Sequence, residues 1–319
     1  MMEQRPPEQE RIMTTPEDDH LLAFYESVYL STHLAPTSFG TPHIPKKIHF
    51  VWIGPFDIPP RSQKAMQSWV RLHSDWSCFL WTDKARPPLK GIKQLPIERL
   101  AFSRTQKLYD FSSSLTEKVH LLRCEILSRE GGVYVDCDVE ARKPFDELHT
   151  ALDFYCGLEP LAPSLLGSAV LPSLHVIGAA PGHPIIVETL DLIAASWNAI
   201  DRLFPNSDTD SMLYRIAHRT VAPFEEAVKL HLDSSDHTNV VFPAHYFSQM
   251  PGAHGLYASH SKEQSWLKGK TKFEREMYKR LERLSRITLL FILISLITLV
   301  AAVALFVFVY IQRRRRGAA

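Results

Sequence analysis

The chain has 319 residues, 45% of them hydrophobic and 22% charged, which excludes global disorder and allows one large or two small α/β domains. Its 36 basic and 35 acidic side chains leave a net charge of +1, which excludes nucleic-acid binding driven by whole-chain charge. That average hides an asymmetry: Arg313, Arg314, Arg315 and Arg316 sit together at the C-terminal end, and residues 1–286 hold 32 basic against 35 acidic side chains, a net of −3.

In chain order, residues 1–43 are polar and proline-bearing, with one helix expected over Leu21–Leu30, and read as a mobile lead-in. Met1–His20 lacks the apolar stretch of a signal peptide. Lys46–Ile53 reads as a strand from its β-branched and aromatic content, ended by Gly54, Pro55, Pro59 and Pro60. Arg61–His73 has helical spacing at Ala65, Trp69 and Leu72, and Trp76–Trp81 reads as a second strand. Strand, helix and strand at this spacing predict a β-α-β unit and a parallel sheet. Thr116–Arg129 is the best-defined helix, apolar at Val119, Leu122, Ile126 and Leu127 and stopped at Gly131-Gly132; Val133–Val135 follows as a strand. Further on come short apolar stretches (Phe154–Leu158, His175–Gly178) and helices near His183–Asn198, Asp210–His218 and Glu225–His231. Late strands are expected at Val240–Phe242 and Leu256–Ser259.

Residues 267–286 read as a basic juxtamembrane helix, with Lys268, Lys270, Lys272, Arg275, Lys279, Arg280, Arg283 and Arg286. Residues 287–311 are 25 positions without a charge, long enough to cross a bilayer of about 30 Å, and 312–319 form a basic tail. The expectation is a single-pass C-terminal anchor with the preceding domain cytosolic. Cys78, Cys124, Cys137 and Cys156 have neither zinc-site nor disulfide-framework spacing, which suits a reducing compartment.

The chemistry concentrates in Val133-Tyr134-Val135-Asp136-Cys137-Asp138-Val139. Alternate side chains at a strand's exit share one side, so Asp136 and Asp138 stand close and repel unless a cation lies between them. Mn²⁺ or Mg²⁺ takes such oxygen ligands and bridges to phosphates. The carboxyl end of a parallel strand is also where α/β folds hold ligands. Arg123, on the helix before the loop and a turn from His120, is either a solvated face residue or a phosphate ligand. Trp52, ending the first strand, is either a core residue or a stacking platform.

Two families share this acidic pattern. Val135-Asp136-Cys137-Asp138-Val139 resembles the first motif of haloacid-dehalogenase-type phosphatases, which also needs a later acidic pair, here Asp233 and Asp236. A longer resemblance runs over residues 44–266. Ile44-Pro45-Lys46-Lys47-Ile48-His49 with Trp52 and Gly54 is similar to the I-P-K-x-I-H-x-x-W-x-G opening of D-x-D-containing sugar transferases. Leu121-Leu122-Arg123 through Gly131-Gly132-Val133-Tyr134-Val135-Asp136-Cys137-Asp138 resembles their L-L-R…G-G-x-Y-x-D-x-D block. Pro181-Gly182-His183-Pro184, Thr220-Val221-Ala222-Pro223 and His260…Ser265-Trp266 resemble three later blocks in the same order. The family is glycosyltransferase family 32, with its fungal Golgi and inositolphosphoceramide mannosyltransferases, and the glucosylating domains of large clostridial toxins are more distantly similar.

This resemblance implies a GT-A nucleotide-sugar transferase fold, a Rossmann-like mixed sheet flanked by helices, over 44–266, with one C-terminal transmembrane helix. It implies a retaining, metal-dependent hexosyltransferase using a UDP- or GDP-hexose, mannose or glucose. The acceptor would be a lipid, glycan or protein at the membrane, and no nucleic acid is involved. By similarity, Trp52 stacks on the base, Asp136 contacts the ribose and donor sugar, and Asp138 binds Mn²⁺ or Mg²⁺. Arg123 meets the sugar or its phosphate, and His260, with Glu263 or Ser265, completes the metal shell. Trp266 holds the β-phosphate. Three positions depart from the pattern. His120 stands where the family has an Asp that holds donor-sugar hydroxyls, Ala222 replaces a glycine, and Leu174-His175-Val176-Ile177 lacks an Asn. These departures keep open a non-catalytic descendant that binds a sugar nucleotide or a partner.

Overall fold

Fifteen of the sixteen side chains in the first two strands' shared register and in the strand that later joins them are apolar, aromatic or uncharged polar, and such runs need cover on both sheet faces. The computed structural model describes residues 15–32, 43–162, 164–204, 209–250 and 253–260. β1 (Lys47–Trp52), α2 (Pro60–Leu72) and β2 (Ser77–Thr82) make the expected β-α-β unit, with parallel pairing from Lys47↔Ser77 to Trp52↔Thr82. Then follow β3 (Ile92–Pro96), α3 (Gln106–Phe111), α4 (Leu115–Glu130), β4 (Gly132–Val135), β5 (Val139–Ala141), α5 (Asp146–Ala151), β6 (Phe154–Leu158) and β7 (Pro172–Ala179). The rest comprises α6 (Pro184–Leu203), α7 (Thr209–Ile216), a π-helical turn (Ala217–Val221), α8 (Ala222–His231), β8 (Asn239–Phe242) and β9 (Ala258–His260).

The main sheet has the order β3-β2-β1-β4-β7-β6-β8, and β7 alone runs against its neighbours. It is the mixed sheet flanked by helices that the sequence predicts. A separate ladder joins β5 to β9 in antiparallel register, Val139↔His260. Strand alternation sorts the core. Tyr134, Ile177 and Phe154 face a cluster with Leu122, Ile126 and Ile186, whereas Val133, Val135 and Tyr155 face one with Trp69 and Phe145.

Ser114 caps α4 by accepting from the Glu117 amide at 3.3 Å, and Gly131 (φ 59°) and Gly132 (φ 99°) reverse the chain straight into β4. A Cβ at Gly131 would lie 2.7 Å from Pro181 Cδ, and one at Gly132 would lie 2.6 Å from the Lys47 carbonyl oxygen. Glycine is required at both positions for conformation and for room.

Several expectations change. The N-terminal helix α1 spans Pro16–Ser31 rather than Leu21–Leu30, and it packs on the core. Thr15 and Asp18 form a capping box, Tyr25 is 1% exposed, and Asp18 accepts from Ser168 Oγ at 2.6 Å. Short elements β3, β5, α3 and α5 have too little periodicity to be seen in the sequence. The expected strand at Leu256–Ser259 starts two residues later and ends one later, at Ala258–His260, drawn by its pairing with β5. Residues 261–319, including the basic helix, the apolar span and the tail, fall outside the described residues. Among the described residues no helix is long and apolar enough to cross a membrane.

Two polar features set the stability of this core. Glu117, 1% exposed, accepts from Arg219 Nη1 at 3.1 Å, Arg215 Nε at 3.3 Å and Ser112 Oγ at 2.6 Å, tying α4 to α7 and the π-helical turn. Glu117→Ala removes the carboxylate shared by two buried guanidinium groups, of which Arg219 keeps Asp201 at 2.8 Å, and is expected to lower unfolding free energy by about 3–5 kcal/mol in urea titrations. Secondly, buried histidines are locked in neutral form. His49 Nε2 donates to the Gly131 carbonyl (3.0 Å) while Nδ1 accepts from the Trp81 indole (3.2 Å). His149 lies between the Ile44 carbonyl (3.1 Å) and the Tyr155 hydroxyl (2.9 Å), and His183 between Asn239 Oδ1 (2.9 Å) and the Ile185 amide (3.3 Å). Burial pushes His49 and His183 down to about 4 and His149 to about 3. The unfolded chain takes up these protons near 6.5, so this stability is complete above pH 6.5 and is lost as pH falls through 4. Urea midpoints measured from pH 7 to 4.5 should fall, each histidine contributing about 1 kcal/mol per pH unit.

Candidate functional site

The crevice forms where strand order reverses: β1 leads outward to β2 and β3, and β4 leads the other way. β1 and β4 share the parallel pairs Ile48↔Val133 and His49↔Tyr134. β1 then runs on to Trp52, while β4 ends at Val135 and delivers Asp136.

Asp136 and Asp138 come together by a turn rather than by strand alternation. The Val139 amide donates to the Asp136 carbonyl at 3.0 Å, closing a four-residue turn, and the Asp136 amide donates to the His175 carbonyl at 2.9 Å. Cys137, between them, points inward: its thiol is buried and reaches the Val51 carbonyl at 3.4 Å. β9 brings His260 beside this turn. Single ligand atoms of Asp136, Asp138 and His260 all lie within 4.8 Å of one another, with His260 Nε2 3.3 Å from Asp138 Oδ1.

Asp136 is held on its other side. Tyr134 hydroxyl donates to its Oδ1 at 2.7 Å and Arg123 Nη2 donates to the same oxygen at 3.0 Å. The Arg123 guanidinium, 3% exposed, lies 4.4 Å over the Tyr134 ring. Burial opposes its charge, but Tyr134 and Asp136 outweigh that and hold its pKa above the usual value. Its Nε is buried without a partner among the described residues. His120, one turn earlier on α4, is held far below the usual imidazole range by burial and by Arg123, so it is neutral. Burial alone would also depress His260, yet the Asp138 hydrogen bond and the charges of Asp138, Asp136 and Glu159 raise it.

These groups open on a cleft of roughly 260 Å³, lined in part by His120, Arg123, Asp136, Glu159, His175 and His260. Of the residues singled out in the sequence, the structure thus gathers His120, Arg123, Asp136, Asp138 and His260. Trp52 stands apart from the lining, half-buried at the end of β1, its indole N–H donating to the Phe56 carbonyl at 2.8 Å. Glu263, Ser265 and Trp266 lie outside the described residues. Glu159 and Ser173 escaped sequence reasoning, and Tyr134 and His175 entered it only as motif positions without a role. Glu159 carried a readable signal: like Asp136, it is an acid directly after a short apolar strand.

The ligand set fits Mn²⁺ or Mg²⁺. Two carboxylates and one imidazole offer hard oxygen donors and one nitrogen, and they leave positions for phosphate oxygens and water. His260 Nδ1 is buried without a hydrogen-bond partner among the described residues.

Asp233 and Asp236 do not serve this site. They precede β8, which runs in the same direction as β4, so they lie at the opposite end of the sheet from Asp136. The phosphatase motif therefore has no second acidic pair at Asp136.

Comparison with known proteins identifies the motif-bearing segment. Residues 59–155 match the model of a family described as the glycosyltransferase sugar-binding region containing DXD motif. A stretch of 147 residues is 29% identical to inositol phosphoceramide mannosyltransferase 3 of Schizosaccharomyces pombe, covering 46% of this chain and 36% of that protein. A stretch of 188 residues is 24% identical to subversion of eukaryotic traffic protein A of Legionella pneumophila, covering 54% of this chain and 28% of the relative. The chain thus spans about a third of the length of these curated relatives. The solved PaToxG glycosyltransferase aligns over 72% of this chain and 83% of its own, at 18% identity and a TM-score of 0.43. The resemblance to D-x-D-containing sugar transferases is borne out on the segment that carries the acids.

Removing one ligand should expose the cation site directly. Asp138→Ala is expected to weaken Mn²⁺ binding at least about tenfold in calorimetric titration while leaving the thermal midpoint within a few degrees.

Proposed function

We propose that the chain is a glycosyltransferase that moves a hexose, mannose or glucose, from a UDP- or GDP-hexose to a membrane lipid, glycan or protein acceptor with retention of configuration. The observation that carries this reading is the convergence of Asp136, Asp138 and His260 beside Arg123, with both acids and the arginine on the segment that matches the DXD sugar-binding family. Asp136, Asp138 and His260 would hold Mn²⁺ or Mg²⁺. A bound cation there supplies positive charge against the diphosphate that leaves the sugar.

Each neighbouring residue has a task in keeping with its chemistry. Arg123 is pinned by Tyr134 and Asp136, and its buried guanidinium faces the cleft as a fixed cation for a phosphate or sugar oxygen. It costs no reorganisation when charge develops on the leaving group. Asp136 spends one oxygen on Tyr134 and Arg123, which orients the carboxylate towards ribose and sugar hydroxyls. Trp52, at the end of the adjoining strand, suits the base. By the resemblance, Glu263 and Ser265 are proposed as further cation ligands and Trp266 as a β-phosphate ligand. A C-terminal anchor over residues 287–311 would keep the cytosolic domain beside acceptors in the membrane.

A second reading draws on His120. Being neutral, it cannot supply the negative charge that the resemblance places there. A protein that binds a sugar nucleotide without turning it over would show that loss.

The deciding experiment incubates the full chain with Mn²⁺ and a panel of UDP- and GDP-hexoses and measures nucleotide release. Release is expected from at least one donor, abolished by a chelator and reduced about a hundredfold or more by Asp138→Ala. Folded protein that releases nucleotide from none of them rejects the transferase, and calorimetric binding without release turns the conclusion to the second reading.

A further inference from the structure

A second carboxylate faces the cleft beside the cation cluster and Arg123. Glu159 follows the last residue of β6 and is one-third exposed where it lines the cavity. Its Oε1 accepts from Ser173 Oγ at 2.8 Å and lies 3.3 Å from His175 Nδ1. Ser173 and His175 are two residues apart on β7, so they share one face, and Ser173 Oγ touches His175 Nδ1. His175 is itself fixed. Its Nε2 lies 3.2 Å from the Phe247 carbonyl, and its ring stacks on His260 at 4.5 Å. The carboxylate is therefore set in position by two buried side chains.

Its charge limits what it can meet. A carboxylate repels a diphosphate unless a cation lies between them, and Glu159 is not in the ligand group of Asp136, Asp138 and His260, so it does not meet phosphate oxygens directly. It attracts neutral groups rich in hydrogen-bond donors. Leu171, Pro172, Leu174 and Val221 complete the lining beside it and offer an apolar surface. A carboxylate edge with an apolar floor matches a hexose, which carries hydroxyl donors at its rim and C–H groups on its faces. His120, being neutral, supplies no such charge.

We propose that Glu159, anchored by Ser173 and His175, is a specificity-determining residue that accepts hydrogen bonds from hydroxyls of the sugar carried on the nucleotide. This rests on the transferase reading above.

The test titrates the full chain, with Mn²⁺ present, with UDP, GDP, UDP-glucose and GDP-mannose by calorimetry. In Glu159→Gln the affinity for whichever sugar nucleotide the wild type binds falls about tenfold or more, while the affinity for the matching free nucleotide stays within twofold. Ser173→Ala, which keeps the carboxylate and removes its anchor, gives the same signature at smaller size. A merely structural role would weaken nucleotide and sugar nucleotide together. That result, or unchanged sugar-nucleotide affinity in both variants, overturns the assignment. Wild-type protein that binds none of the four probes overturns the transferase reading and this inference with it.

Discussion

Much of this molecule depends on one reversal. Helix α4 must end and strand β4 must begin with no intervening loop, because Arg123 on the helix and Tyr134 and Asp136 on the strand have to meet. Gly131 and Gly132 make that possible by adopting positive φ where neighbouring atoms leave no space for a side chain. The same glycines touch Pro181 and Lys47, so three separate stretches of sequence converge on one corner. Displacing the corner would shift the helix against the strand and separate the cation-π and hydrogen-bonded contacts that orient Asp136.

The site is divided electrically. Two acids and a histidine gather on one side of the turn, and a buried arginine stands on the other. Left alone, the acids repel and the arginine pays for its burial through Asp136 and Tyr134. A diphosphate with a cation would satisfy both halves at once. The acidic body and the basic C-terminal end, which nearly cancel in the whole chain, thus have different duties in the proposed enzyme.

Long periodic elements and tightly spaced motifs were legible in the sequence. Helix α4, strands β1, β2, β4 and β6 and the carboxylate turn are all near their expected positions, because burial on both sheet faces writes continuous apolar runs. Strand alternation, however, was the wrong mechanism for bringing Asp136 to Asp138; a hydrogen-bonded turn does so, with Cys137 turned into the core. The packing of α1 was hidden because its buried hydrophobic residues, Tyr25 and Val28, are few, and its anchor at Ser168 is distant in sequence. Glu159 showed only as an acid after a short apolar strand, and its partnership with His175 was hidden for a related reason. Their meaning arises from the pairing of β6 with β7, which no local pattern reveals.

The four cysteines acquire a meaning beyond compartment. All are buried and unpaired, and burial pushes Cys78 to about 11 and Cys124 to about 12, with Cys137 raised further by the two flanking aspartates. Burial thus disfavours the thiolate in the folded chain, and alkylating reagents are expected to reach these thiols only through opening. Every thiol that does react records a moment of opening. Cys137 occupies the centre of the carboxylate turn, so its alkylation rate is a clock for motion at the cation ligands, slowed by anything that ties those ligands together.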